Sequence, residues 1–177
     1  MKADPSGKAF GTRTVHAGQA ADPLTGSVKV PIYQTATYQY RKTGEHTGFE
    51  YARVQNPTRR ALEDCVASLE AGVDAHAYAS GMAAISSLMT LVRADEHVVA
   101  SRNVYGGTYR FFHHILERYD LSFSWVDSPD LSTLERAMTP QTRLVYIETP
   151  TNPMIEVTDI AGAAEIAHAR GARLAVD

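Results

Sequence analysis

From about residue 57 to the last residue, short apolar runs alternate with stretches of helical period, and this alternation limits the fold more than any other feature of the chain. Ala61, Leu62, Cys65, Val66 and Leu69 form one stripe at helical spacing, with Thr58 as the expected N-cap and Gly72 as the expected stop. Further helices are predicted from Ser80-Gly81 through Val92, through Phe111 to Leu116, over 131–138 and over 160–169. Strands are predicted at 75–79, 97–101, 121–126, 143–148 and 172–176. A strand–helix alternation of this kind specifies an α/β fold, a mostly parallel sheet with flanking helices. In such sheets ligands sit outside the carboxyl ends of the strands. That rule selects Ser80-Gly81, Asn103 to Gly107, Glu148 to Asn152, and Asp177. Residues 1–55, by contrast, are rich in turn formers and carry no sustained period.

Several function classes are disfavoured by composition. A net charge of −3 gives no broad electrostatic footprint for nucleic acid. No apolar run has the length of a membrane span. The opening Met1-Lys2-Ala3-Asp4-Pro5-Ser6-Gly7 lacks the apolar centre of a secretory signal, and the single cysteine, Cys65, cannot build an internal disulfide. A cytoplasmic protein is expected. The seven histidines show no metal-ligand spacing, so no metal site is expected. Neither a Gly-x-Gly-x-x-Gly fingerprint nor a Walker loop occurs.

Four of the five chemistry-bearing stretches lie where strands are predicted to end; Tyr51 and Arg53 precede them. Ser80-Gly81-Met82 opens a helix, whose free N–H groups suit a phosphate; a plain N-cap reads the same way. Tyr51 and Arg53 supply a phenol and a guanidinium, or simply a packed Tyr beside a solvated Arg. Tyr105 precedes Gly106-Gly107, an aromatic with clearance to cover a flat ring, or an ordinary helix-entry loop. Asn152 sits between Pro150 and Pro153, where its amide can be held toward an oxygen, or where the prolines merely stiffen a turn. Asp177 ends an apolar strand, where a carboxylate can keep a heterocyclic nitrogen protonated, or can be a loop residue. Each signal is weak alone; their order along the chain is more specific.

The motifs Tyr51-Ala52-Arg53…Asn56-Pro57-Thr58, Ser80-Gly81-Met82-Ala83, Tyr105-Gly106-Gly107-Thr108, Glu148-Thr149-Pro150-Thr151-Asn152-Pro153 and Ala175-Val176-Asp177 resemble the Cys/Met-metabolism family of pyridoxal 5′-phosphate (PLP) enzymes. Thr14-Val15-His16-Ala17-Gly18 and Pro31-Ile32-Tyr33-Gln34-Thr35 look like that family's N-terminal arm. The resemblance implies an arm over 1–55 that contacts a neighbouring subunit, and over 56–177 an incomplete PLP-binding domain of fold type I, the aspartate-aminotransferase-like class. It implies PLP as cofactor, with Gly81 and Met82 on its phosphate, Tyr51 and Arg53 reaching the phosphate of a neighbouring subunit, Asn152 on the phenolic oxygen and Asp177 on the ring nitrogen. Tyr105 would stack on the ring and assist proton transfer as the catalytic residue, and Arg110 would contact substrate. A homo-oligomer with shared sites, a homotetramer, follows from the same likeness, with a small amino acid as the other partner.

The implied activity is trans-sulfuration: γ-replacement or γ-elimination on homoserine esters or cystathionine. Tyr105-Gly106-Gly107 leans toward the cystathionine γ-synthase and γ-lyase branch, with O-acetylhomoserine sulfhydrylase and methionine γ-lyase as alternatives. One position departs slightly, Ala52 standing where the family usually has Ser or Thr. The larger departure is lysine. All four lysines (Lys2, Lys8, Lys29 and Lys42) lie in the arm, and none matches the family's Schiff-base lysine, which lies downstream of the Asp. A parent protein longer than this chain is therefore expected, with the 177 residues inactive alone. The alternative is a non-catalytic remnant acting only as a structural or oligomerising domain.

Overall fold

The structure is a computed structural model that describes residues 7–177; the six residues before Gly7, on which the secretory-signal argument mainly rests, lie outside it. Its contacts separate two compact units, divided between Ala79 and Ser80.

The first unit contains helix α1 (Phe10–His16) and helix α2 (Pro57–Leu69). Between them the described backbone is irregular, with isolated bridges at Thr37–Tyr51 and Lys42–Glu45. Three side-chain bonds pin it to the start of α2. The Thr58 hydroxyl donates to the Pro31 carbonyl and accepts from the Tyr33 N–H, and the Asn56 amide donates to the Tyr33 carbonyl. Gly18 passes so close to α2 that a Cβ there would lie 2.2 Å from the Ala61 carbonyl oxygen, and its φ is +72°. Only glycine meets both conditions without strain.

Two expectations are corrected here. Asn56, not Thr58, caps α2, its side chain accepting from the Thr58 N–H at 2.9 Å with Pro57 in the first turn. Thr58 is instead occupied with Pro31 and Tyr33. The segment 75–79 forms no strand among the described residues: the Ala77 N–H goes to the buried carboxylate of Glu63 at 3.0 Å rather than to a sheet neighbour. Its short apolar run reads as a strand, but no strand among the described residues pairs with it.

In the second unit, helices α3 (Gly81–Met89), α4 (Gly106–His114), α5 (Leu131–Ala137) and α6 (Ile160–Ala169) flank strands β1 (His97–Ser101), β2 (Ser122–Val126), β3 (Thr142–Ile147) and β4 (Arg173–Val176). All pairings are parallel, in the order β2-β1-β3-β4. Successive side chains of a strand point to opposite faces, and the core divides accordingly. Val99, Val145 and Ile147 pack with Leu134, Ala163 and Ala167 of α5 and α6. Val98, Ala100, Leu144 and Tyr146 pack with Met89 and Phe112, which belong to α3 and α4. A parallel sheet buried on both faces needs such continuous apolar strands, and β1 is buried at all five positions. Phe112, fully buried, stacks on Phe123 at 5.0 Å and meets Tyr146 edge-on at 5.3 Å. Burial of a side chain of that size contributes about 2–3 kcal/mol.

Helix ends differ modestly from the sequence expectation. The helix expected from 111 to 116 ends at His114, and Leu116–Tyr119 forms a 3₁₀ turn closed by Asp120 at φ +60°. At the amino end of the sheet, His97 is buried between two hydroxyls, Thr142 at 2.8 Å and Ser124 at 3.0 Å. Desolvation lowers its pKa below the ordinary histidine value. No helix among the described residues is long and apolar enough to cross a membrane, and none of their His, Cys, Asp and Glu side chains form a metal-binding group of three.

Candidate active site

Strand order sets where a site can form. From β1 the chain moves outward to β2, then returns past β1 to β3 and continues to β4. The reversal lies between β1 and β3, and there the loops leaving the two carboxyl ends diverge and open a crevice. An open cleft of about 580 Å³ occupies this position. Gly81, Met82, Tyr105, Asn152 and Asp177, expected from sequence to act together, all line it.

Each wall has a local cause. Ser80 caps α3, its hydroxyl accepting from the Ala83 N–H at 3.1 Å. The first N–H groups of a helix have no intrahelical acceptor, so those of Gly81 and Met82 remain available to a ligand. The space beside Gly81 is open, with no heavy atom within 4 Å of a Cβ built there. Tyr105 is the N-cap residue of α4, and its side chain, 57% exposed, leaves the helix uncapped and free to face a ligand. A Cβ on Gly107 would lie 2.4 Å from the Tyr105 ring and 3.2 Å from the Met82 sulfur, so this glycine sets where the ring can sit. Both X-Pro bonds around Asn152, Thr149–Pro150 and Asn152–Pro153, are cis.

Asp177 follows β4. Its N–H donates to the Ile147 carbonyl at 2.8 Å, and its own carbonyl accepts from the Thr149 N–H at 3.1 Å. Its carboxylate Oδ2 accepts from the Tyr146 hydroxyl at 2.5 Å. Burial, then the bond to Asp177, push the Tyr146 phenol far above its usual pKa, so it stays protonated and donates. The other carboxylate oxygen is left for the cleft.

Two residues at or beside the cleft receive no role from the sequence motifs. One is Tyr146. The other is Glu148, buried at 7% exposure, whose Oε2 accepts from the Tyr105 N–H at 2.7 Å and whose Oε1 accepts from the Asn152 N–H at 3.1 Å. A phenol within a strand buried at all but one position, and a carboxylate directly after that strand, both require partners. That requirement was the available signal; the identity of the partners was not.

The remaining expected residues lie elsewhere. Arg110 is exposed on α4 and does not line the cleft. Tyr51 and Arg53 belong to the first unit, where the Arg53 guanidinium lies over the Tyr51 ring at 4.7 Å.

An open parallel sheet with flanking helices and a cleft at its reversal point, entered by a helix N-terminus on one side and a strand-end carboxylate on the other, defines the chain as an α/β protein of the open-sheet class. The comparisons with known proteins are more specific. Residues 11–177 match the model of the Cys/Met metabolism PLP-dependent enzymes, and the chain belongs to that family. It is 45% identical over 168 residues to a protein of Herpetosiphon aurantiacus named "Probable cystathionine gamma-synthase", covering 95% of this chain and 53% of that one. It is 46% identical over 166 residues to cystathionine gamma-lyase of Bacillus subtilis (strain 168), covering 94% of this chain and 44% of the relative. Among solved structures, cystathionine gamma-lyase from Lactobacillus plantarum complexed with L-serine superposes with a TM-score of 0.91 at 40% identity, covering 96% of this chain and 44% of that one. The chain thus spans about half the length of the relatives it matches.

Proposed function

We propose that this chain supplies the cofactor-facing wall of a PLP-dependent trans-sulfuration enzyme acting on cystathionine-type or homoserine-ester substrates. The observation that carries the reading is the convergence of Gly81, Met82, Tyr105, Asn152 and Asp177 on one cleft at the sheet's reversal point. Their chemistry fits PLP. Two free helix N–H groups suit the phosphate, an amide suits the phenolic oxygen, and a carboxylate suits the ring nitrogen.

In this reading the Gly81 and Met82 amides hold the phosphate. Asp177 keeps a proton on the ring nitrogen, Asn152 donates to the phenolic oxygen, and Tyr105 covers the ring face and passes a proton. Bound PLP supplies an electron sink that makes carbon–hydrogen bonds of the amino-acid substrate acidic. The unit Ser80–Asp177 contains no lysine, so it offers no amine of its own to carry the cofactor covalently. The 177 residues alone are accordingly expected to bind PLP without turnover. A γ-replacing or γ-eliminating reaction is favoured, in line with the names of the similar proteins above. Tyr51 and Arg53 reaching a neighbouring subunit's phosphate, Arg110 near the substrate, a homotetramer and a cytoplasmic location complete the reading.

The test is a titration with PLP, followed by the quenching of Trp125, the single tryptophan, and by the absorbance of the bound cofactor. Saturable binding weakened by Asp177→Asn is expected. Binding indifferent to that substitution would remove the support for the site. Borohydride reduction and intact mass then report whether any lysine carries the cofactor, and no stoichiometric adduct is expected on these 177 residues.

A further inference from the structure

Tyr105 and Asn152 approach the cleft from two loops of separate origin, one after β1 and one after β3. Nothing in either loop's own sequence sets its height relative to the other. Tyr105 holds the N-cap position of α4 with no side-chain cap. Glu148 ties it from the other loop: its two carboxylate oxygens each accept one backbone N–H, that of Tyr105 at 2.7 Å, 43 residues away, and that of Asn152 at 3.1 Å, four residues away. The two oxygens belong to one rigid planar group, so the two loops are held at a fixed offset. Its charge also lies at the N-terminus of α4, where a negative group is favoured.

We infer that Glu148 is a positioning residue that sets the ring of Tyr105 and the amide of Asn152 in register across the cleft. A second link supports the same pair of loops, the Asn103 amide donating to Glu156 at 2.6 Å. That link lies beyond the cleft residues and leaves the Tyr105 N–H untouched. Glutamine at 148 has one accepting oxygen and an NH₂ that cannot accept, so one of the two N–H groups loses its partner. Aspartate keeps the charge but withdraws it by one methylene and cannot serve both.

The inference rests on the cofactor reading above, and the experiment separates the two. The full-length protein bearing this chain is prepared without PLP and titrated with PLP as wild type, Glu148→Gln, Glu148→Asp and Ser128→Ala. Ser128 serves as the control. It joins Ser101 and Thr158 in a buried hydroxyl chain at 2.8 and 2.9 Å and takes no part in the cleft. Three quantities are read: the PLP dissociation constant, the visible circular dichroism per bound PLP, and the melting temperature without PLP. Glu148→Gln should weaken PLP binding on the order of tenfold, the lower end of the effect of removing groups that orient ligands in metal sites. It should also change the dichroism of the bound ring, and Glu148→Asp should do the same to a smaller extent. Ser128→Ala should lower the melting temperature with the dissociation constant and dichroism of wild type. Glu148 variants that lose thermal stability but bind PLP with wild-type affinity and dichroism overturn the inference and leave the cofactor reading standing. A wild type that binds no PLP overturns both.

Discussion

Tyr146→Phe isolates the contribution of one oxygen atom. The ring, 1% exposed, keeps its edge-on contact with Phe112 at 5.3 Å and its place in the core, so no cavity larger than a hydroxyl is made. What disappears is the hydrogen bond from the phenol to Asp177 at 2.5 Å. Asp177 is exposed and recovers a water molecule. Thr108, fully buried nearby, keeps its bond to the Met82 sulfur at 3.9 Å. The cost is therefore close to that of one hydrogen bond to a charged group, about 2 kcal/mol. For a chain of this size that corresponds to a fall of roughly 4–8 °C in Tm, measured by calorimetry at neutral pH. The ionisation adds a second signature. Since the pKa of Tyr146 is raised on folding, its contribution is complete below the ordinary phenol value of about 10 and is lost as pH rises above it. Wild type should lose stability more steeply than Tyr146→Phe in that alkaline range. A Tm within about a degree of wild type, with matching alkaline limbs, would refute the hydrogen-bond account on the scale used here.

Two further outcomes follow from the same geometry. Gly107→Ala places a methyl where the Tyr105 ring and the Met82 sulfur now lie, so the ring must swing away; the dichroism of bound PLP should change while the far-ultraviolet spectrum does not, and an unchanged cofactor signal would show that the ring does not cover PLP. His97 should titrate below the ordinary histidine value of about 6.5, as read from its imidazole proton resonance, because burial disfavours its charged form. The unfolded chain takes up that proton first, so the urea midpoint should be level above the unfolded value and decline as pH falls below it; a resonance that titrates at or above the ordinary value removes His97 as a cause of any such decline.

Much of the second unit is local in origin, which is why it can be read from sequence. The strand at 97–101 and the helix at 160–169 have the expected ends, because a run of β-branched residues and a capping Asp159 act over a few residues. Ser80 as the cap of α3 is equally local. Less legible were features whose partner lies far along the chain. The helix expected to reach Leu116 stops at His114, where the backbone tightens into the 3₁₀ turn before β2. Thr58 has the composition of a cap, yet its hydroxyl is taken by Pro31, 27 residues earlier.

The same division runs through the candidate site. Sequence alone placed Tyr105, Asn152 and Asp177 beyond strand ends, since strand period and turn chemistry mark those ends one at a time, whereas Gly81 and Met82 open a helix that no strand precedes among the described residues. Tertiary structure decided the order β2-β1-β3-β4 and hence that the loops after β1 and β3 face each other across one cleft. It also decided that Tyr146 reaches Asp177 across 31 residues and that Glu148 reaches Tyr105 across 43. A buried hydroxyl or carboxylate is certain to need a partner, because leaving it unpaired costs more than the fold can spare. Which partner it finds is set by the packing of strands distant in sequence, and no local pattern carries that information.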